Sequence, residues 1–121
     1  MERTPADFFA GFPEGLAVHD AVARAVAEVS DADATVAVTK SQIAFRRRKG
    51  FAYVWRPGQY VRSDVPAVLS IALPFRLESD RFKEVVHPSA HVWLHHLELH
   101  DPAEVDAEVR AWLAAASAHA A

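Results

Sequence analysis

The 121-residue chain has no cysteine and only four glycines, none of them grouped. The first absence removes disulfides, thiolate nucleophiles and cysteine-based zinc or iron-sulfur sites. The second removes any glycine-rich phosphate loop. No stretch approaches the ~18 consecutive apolar residues of a membrane-spanning helix, and Met1 to Gly15 has neither the cationic start nor the apolar run of a secretory leader. The expectation is a soluble, cytoplasmic protein with no membrane partner. The most informative absence is local: from Lys40 to Ser63 there is no Asp or Glu.

That acid-free stretch holds Lys40, Arg46, Arg47, Arg48, Lys49, Arg56 and Arg62, seven of the thirteen Lys and Arg residues. Because the whole chain is formally -3, the remainder carries -10. A nearly neutral protein therefore contains a strong charge dipole, and something must balance its positive end. The candidates are an anionic ligand, a nucleic acid, or the acidic remainder of the protein itself, within one chain or across a homodimer.

Length and a 51% hydrophobic composition suit one core and one domain, 1–121. Alanine concentrates at both ends and favours helix there. Between about Thr35 and Leu99, β-branched and aromatic residues separated by turn residues predict strands. Thr4, Pro5 and Asp7 read as an N-cap, a first-turn proline and an acidic third position, so a short helix carries Phe8, Phe9 and Phe12 until Pro13 ends it. A second helix, Glu14 to Val29, has Val18, Val22, Ala25, Val26 and Val29 on one face and solvated Asp20, Arg24 and Glu28 on the other.

The hairpin is the sharpest local expectation. With Arg48, Lys49 and Gly50 as a three-residue loop and Gly50 left-handed, Arg47 faces Phe51, Phe45 faces Tyr53 and Ile43 faces Trp55. Ile43, Phe45, Phe51, Tyr53 and Trp55 then form an apolar face, and Lys40, Gln42, Ala44, Arg46, Ala52, Val54 and Arg56 a basic one. Pro57 and Gly58 turn the chain, and Tyr60 to Ser63 is read as a short extended piece. Ala67 to Leu73 is a third strand, with Leu69, Ile71 and Leu73 inward. Glu78 to Val86 has the spacing of one or two helical turns before His87 and Pro88 break it. His91 to Leu99 is a fourth strand with Trp93, Leu97 and Leu99 on one face. Asp101, Pro102 and Glu104 cap a last helix whose stripe is Val105, Val109, Trp112, Leu113 and Ala116, and Ala114 to Ala121 reads as an alanine-rich tail. The fold class is α+β: N-terminal helices, a largely antiparallel four-stranded sheet, and a C-terminal helix packed on one sheet face.

Three groups could carry chemistry. The seven basic residues could neutralise phosphates, with Tyr53, Trp55 or Tyr60 stacking on bases if they are exposed; otherwise the basic run is a solvated hairpin tip and the aromatics are core. Five histidines, His87, His91, His95, His96 and His100, fall within fourteen residues. A strand rises ~3.4 Å per residue, however, so His96 and His100 stand about 13 Å apart and cannot share one metal. Glu84, His87 and His91 could serve a small enzyme, although no nucleophile or oxyanion environment accompanies them. Ser41 and Ser70 read as ordinary strand hydroxyls. No catalytic residue, metal or cofactor is assigned.

The run Val38-Thr39-Lys40-Ser41-Gln42-Ile43-Ala44-Phe45, continued by Lys49-Gly50-Phe51-Ala52-Tyr53-Val54-Trp55, resembles a small uncharacterised bacterial family of domains of unknown function. Its members share an xTKxxIAF, basic turn, FAxV hairpin. The resemblance implies a compact α+β fold with terminal helices from about Phe8 to Leu113, and it implies no activity. The leading functional expectation is a non-enzymatic module whose basic hairpin contacts an anionic partner, nucleic acid included. A homodimeric interaction protein and a small enzyme using Glu84, His87 and His91 are the alternatives.

Overall fold

A computed structural model describes residues 3–121; Met1 and Glu2, at the start of the expected domain, lie outside it. Helix α1, Pro5–Phe8, begins with the capping box that its sequence predicts: the Asp7 N–H donates to Thr4 Oγ1 at 3.1 Å, and the Thr4 N–H donates to Asp7 Oδ2 at 2.9 Å. Pro13 ends nothing further. It opens α2, Pro13–Val29, at the first helical position, where a missing N–H goes unnoticed. The apolar stripe of α2 buries Val18, Val22, Ala25 and Val26. Its polar face is not a ladder of internal pairs: Glu28 binds Arg110 of the last helix, and Asp20 contacts the neighbouring His19 at 3.1 Å.

Gly15 lies where α2 comes closest to its surroundings. A Cβ there would sit 2.6 Å from the Phe9 ring and 2.8 Å from the Pro66 carbonyl oxygen. The ring can shift slightly, but a backbone oxygen cannot. Gly15→Ala is therefore expected to destabilise by about 1–3 kcal/mol through overpacking, despite alanine's advantage of up to about 1 kcal/mol in a helix. Urea unfolding would show it as a lowered midpoint at unchanged slope.

The sheet has six antiparallel strands, not four: β1 Thr35–Val38, β2 Ile43–Arg46, β3 Gly50–Trp55, β4 Ala67–Leu73, β5 Glu84–Ser89 and β6 Val92–Leu99, in the order β1-β2-β3-β4-β6-β5. Both additional strands are edges. β1 is short and mostly exposed, which hides the alternation of a half-buried strand. β5 replaces the helical turns expected before His87. Pro88 is tolerated because it falls in an irregularity between Val86 and Ser89 on an edge strand. Tyr60 to Ser63 is not extended either; it follows a 3-10 turn, Pro57–Gln59.

Asp101, Pro102 and Glu104 do form a capping box, but around a single 3-10 turn, Pro102–Glu104. Helix α3, Ala107–His119, has its own cap in Asp106, whose carboxylate accepts from the Val109 N–H. That backbone bond, with the Arg81 guanidinium beside it, holds the Asp106 carboxyl below the usual carboxylate range. Val109, Leu113 and Ala116 are buried, and Trp112 packs on Phe82 with ring centres 4.7 Å apart. The alanine-rich end is the last part of this helix, with Ala116, Ser117 and Ala120 buried. α2 and α3 share one core with Ile43, Phe45, Ala52, Val54, Leu69, Ile71, Leu97 and Leu99, so both helices lie on one face of the sheet. No helix among the described residues is long and apolar enough to cross a membrane.

Candidate functional site

The pairing of β2 with β3 decides which side chains are accessible. Ile43 lies opposite Val54, Ala44 opposite Tyr53 and Phe45 opposite Ala52, and the register then shifts between Phe45 and Arg46 so that Arg46 meets Gly50. This is one residue away from the expected register. Because side chains alternate along a strand, the slip exchanges the two faces. Ala52 and Val54 join Ile43 and Phe45 in the core, while Tyr53 and Trp55 move to the face that carries no helix. The expected left-handed conformation of Gly50 is also absent; Gly11 is the glycine at positive φ. Gly50 instead leaves room for the Tyr53 hydroxyl, which a Cβ would overlap.

A pocket of about 570 Å³ occupies this open face. β3 supplies Tyr53 and Trp55, β4 supplies Ser70 and Ala72, and β6 supplies Leu94 and His96, all at alternate positions that share one side of the sheet. Tyr60 flanks one end, with a ring centre 6.0 Å from that of Trp55. Lys49, His91 and His119 also line the pocket, and no Asp or Glu does. At its far end it reaches the last turn of α3.

A hydrogen-bond chain fixes the floor. The Trp55 Nε1–H donates to Ser70 Oγ at 2.8 Å, and Ser70 Oγ lies 2.7 Å from His96 Nδ1. An indole can only donate, so the serine oxygen accepts there and its own proton is free to go to Nδ1. When it does, His96 carries its own proton on Nε2, which has no protein partner among the described residues. Ser70 is thus the centre of a relay, 2% exposed, rather than an isolated strand hydroxyl. Burial pushes the His96 pKa down, the neighbouring His95 adds to this, and Glu84 across the strand pair opposes it.

The histidine cluster divides between the two faces. His95 is fully buried on the helix side: Nδ1 donates to the Ile71 carbonyl at 3.0 Å and Nε2 accepts from the Leu77 N–H at 2.9 Å. His87 stacks on Trp93 at 3.7 Å, on the same side as His95, whereas Glu84 shares the open face with His96. Glu84, His87 and His91 therefore do not converge on one centre. No group of three or more His, Asp or Glu among the described residues could hold a metal ion.

The seven basic residues are dispersed. Arg47 turns inward: Nη1 donates to the Ser117 carbonyl at 3.0 Å and to Ser117 Oγ at 3.3 Å, while Nη2 pairs with Asp33 at 3.1 Å. Arg48 and Lys49 donate their backbone N–H groups to the Ala120 carbonyl at 2.9 and 3.4 Å. The hairpin tip thereby caps the negative end of the α3 dipole, so part of the charge is balanced within the chain. Arg56 lies over the Phe12 ring at 3.8 Å. Lys49 lines the pocket, and the Arg46 guanidinium lies beside Gly50 and Tyr53 at its rim. Lys40, Arg48 and Arg62 are exposed.

A family model described as a domain of unknown function, DUF5655, matches residues 6–119. The chain belongs to the DUF5655 family. The expected membership of a family of domains of unknown function is borne out, over nearly the whole domain. No curated protein and no solved structure matches this DUF5655 chain.

Acid should loosen this DUF5655 domain before its carboxylates titrate. Burial pushes His19 below its ordinary 6.5, with Asp20 opposing, and burial also lowers His96. Both are bases held neutral by the fold, so their contribution is complete above pH 6.5 and is lost as pH falls through their depressed native values. Thermal melts should show Tm falling between pH 7.5 and 5. His19 is buried and its Nε2 has no partner, so His19→Leu should make that fall shallower.

Proposed function

We propose that this domain is a binding module that holds an anionic partner, nucleic acid included, on the open face of its sheet without transforming it. The reading rests on one observation: the open-face pocket is lined by Lys49 and three histidines and by no carboxylate. In a protein of net charge -3, a concave surface free of acids favours entry of negative charge. Arg46 extends this rim, and Lys40 directly precedes the lining residue Ser41. Arg47 and Arg56 are committed to Ser117, Asp33 and Phe12 and contribute less than their charge suggests.

The test is anisotropy of labelled, mixed-sequence single-stranded DNA and RNA at about 50 mM salt, where phosphate contacts are strong. Binding should weaken steadily as salt rises, and Lys49→Glu should weaken it by about tenfold or more, since a like charge then faces the ligand. Absence of binding to either nucleic acid, or binding indifferent to salt, would remove nucleic acid as the partner.

A further inference from the structure

The pocket pairs two features that a plain anion would not need together. One is a set of aromatic surfaces held in fixed orientation. Trp55 is pinned by its hydrogen bond to Ser70, with Tyr60 and His96 edge-on to it at 6.0 and 5.9 Å, and Tyr53 follows on the same face two residues along the strand. Preorganised rings of this kind stack on planar groups of any sequence. The other is the cationic end at Lys49 and Arg46. About 17 Å of strand separates Gly50 from Trp55, and the Lys49 side chain, which lines the same pocket as Trp55, shortens the gap between cation and ring to less than that. A compact aromatic acid reaches one end or the other, whereas a nucleotide carries its planar and anionic parts on opposite sides of a sugar.

Size points the same way. A pocket of about 570 Å³ falls within the range of sites that enclose one small ligand. Paired bases in a duplex cannot enter such a recess without leaving the stack. We infer that the pocket takes a nucleotide, with its base stacked on Trp55 and bordered edge-on by Tyr60, its phosphate at Lys49, and the Nε2–H of His96 donated to an acceptor on the base. This rests on the anion-binding reading and narrows it to one ligand chemistry. A free mononucleotide and one unit of a single strand both supply that chemistry. Burial keeps His96 neutral near pH 7, so it offers a donor without adding charge.

Calorimetric titration of the full chain with AMP, GMP, CMP and UMP, alongside ribose 5-phosphate, inorganic phosphate, adenosine, a single-stranded tetranucleotide and a duplex, tests this. At least one mononucleotide should bind about tenfold tighter than ribose 5-phosphate, reflecting one stacked base. Tyr60→Ala and Lys49→Ala should each remove most of that binding. Both side chains are exposed, so neither change threatens the fold. A gain of tenfold or more from mononucleotide to tetranucleotide assigns the site to single strands; no gain assigns it to free nucleotides, and either result supports the inference. Equal affinity for mononucleotide and ribose 5-phosphate would overturn the base pocket while leaving anion binding standing. Adenosine binding as tightly as AMP would overturn anion binding while leaving the base pocket. A duplex binding as tightly as the tetranucleotide, or no binding of any phosphate, would overturn the inference, and the last result would remove the anion reading with it.

Discussion

Phe45→Ala is expected to cost about 3–5 kcal/mol, the range for deleting a buried aromatic side chain, while Tyr53→Ala costs a small fraction of that. The contrast follows from the register. Phe45 is 1% exposed and packs with Ile43, Ala52 and Val54 beneath the helices, with the His19 ring stacked on it at 5.9 Å. Its removal leaves a cavity bounded by a helix and two strands, which cannot collapse without moving backbone. Tyr53 is half-buried on the open face, where water replaces it. In the alternative register the two residues would face each other across the hairpin and would both be core, so both variants would be severe. Paired urea titrations of the two variants distinguish the registers: comparable losses would refute the assignment of Tyr53 to the pocket. Since a domain of this size retains only about 5–15 kcal/mol in total, Phe45→Ala should also lower the yield of folded protein.

The second large effect concerns Arg47, where charge and architecture separate. Arg47→Ala should destabilise by about 2 kcal/mol, chiefly through loss of charge-assisted bonds to the Ser117 carbonyl and hydroxyl near the end of α3. The pair with Asp33 adds little because that carboxylate is largely exposed. The Nε of Arg47 is buried without a partner, which offsets part of the gain from the two bonded nitrogens. Arg48→Ala should be close to neutral: its contact with α3 is through the backbone N–H, which alanine keeps. Hydrogen exchange should show the last turn of α3 opening more readily in Arg47→Ala and unchanged in Arg48→Ala. Equal behaviour of the two variants would mean that the tip is a solvated loop and not a cap for the helix. Neighbouring arginines in one basic run thus have different tasks, one joining sheet to helix and the other free in solvent.

The hairpin shows how much of the site could be read in advance. The positions of β2 and β3 follow from alternation and from the basic turn, although the connection is residues 47–49, with Gly50 already in β3, and not residues 48–50, and the residues that line the pocket on β3 were recognisable as one alternating set. Their side of the sheet was not. Between Phe45 and Arg46 the pairing passes over Phe51, one extra residue on β3, and this bulge shifts the register by one; nothing local marks it, and it accompanies the long-range docking of Arg47, Arg48 and Lys49 on α3. Ser70 and His96 were equally invisible as a pair, because 26 residues separate them in the chain. The signal that could have found them is the alternation of β4 and β6, which assigns Ser70 and His96 to the faces opposite Leu69 and Leu97.

By itself the sequence determined the segments whose stability is mostly local. These are the capped α1, the apolar stripe of α2, the proline-bracketed β4, the β6 alternation, the stripe of α3, and the concentration of positive charge around one hairpin. The tertiary structure alone decided the two edge strands, the face on which each aromatic falls, and which cations remain free. The physical reason is common to all three. An edge strand, a bulged register and an arginine that caps a distant helix are each stabilised by partners far along the chain, and a one-residue slip costs local periodicity nothing while exchanging the core for the solvent face.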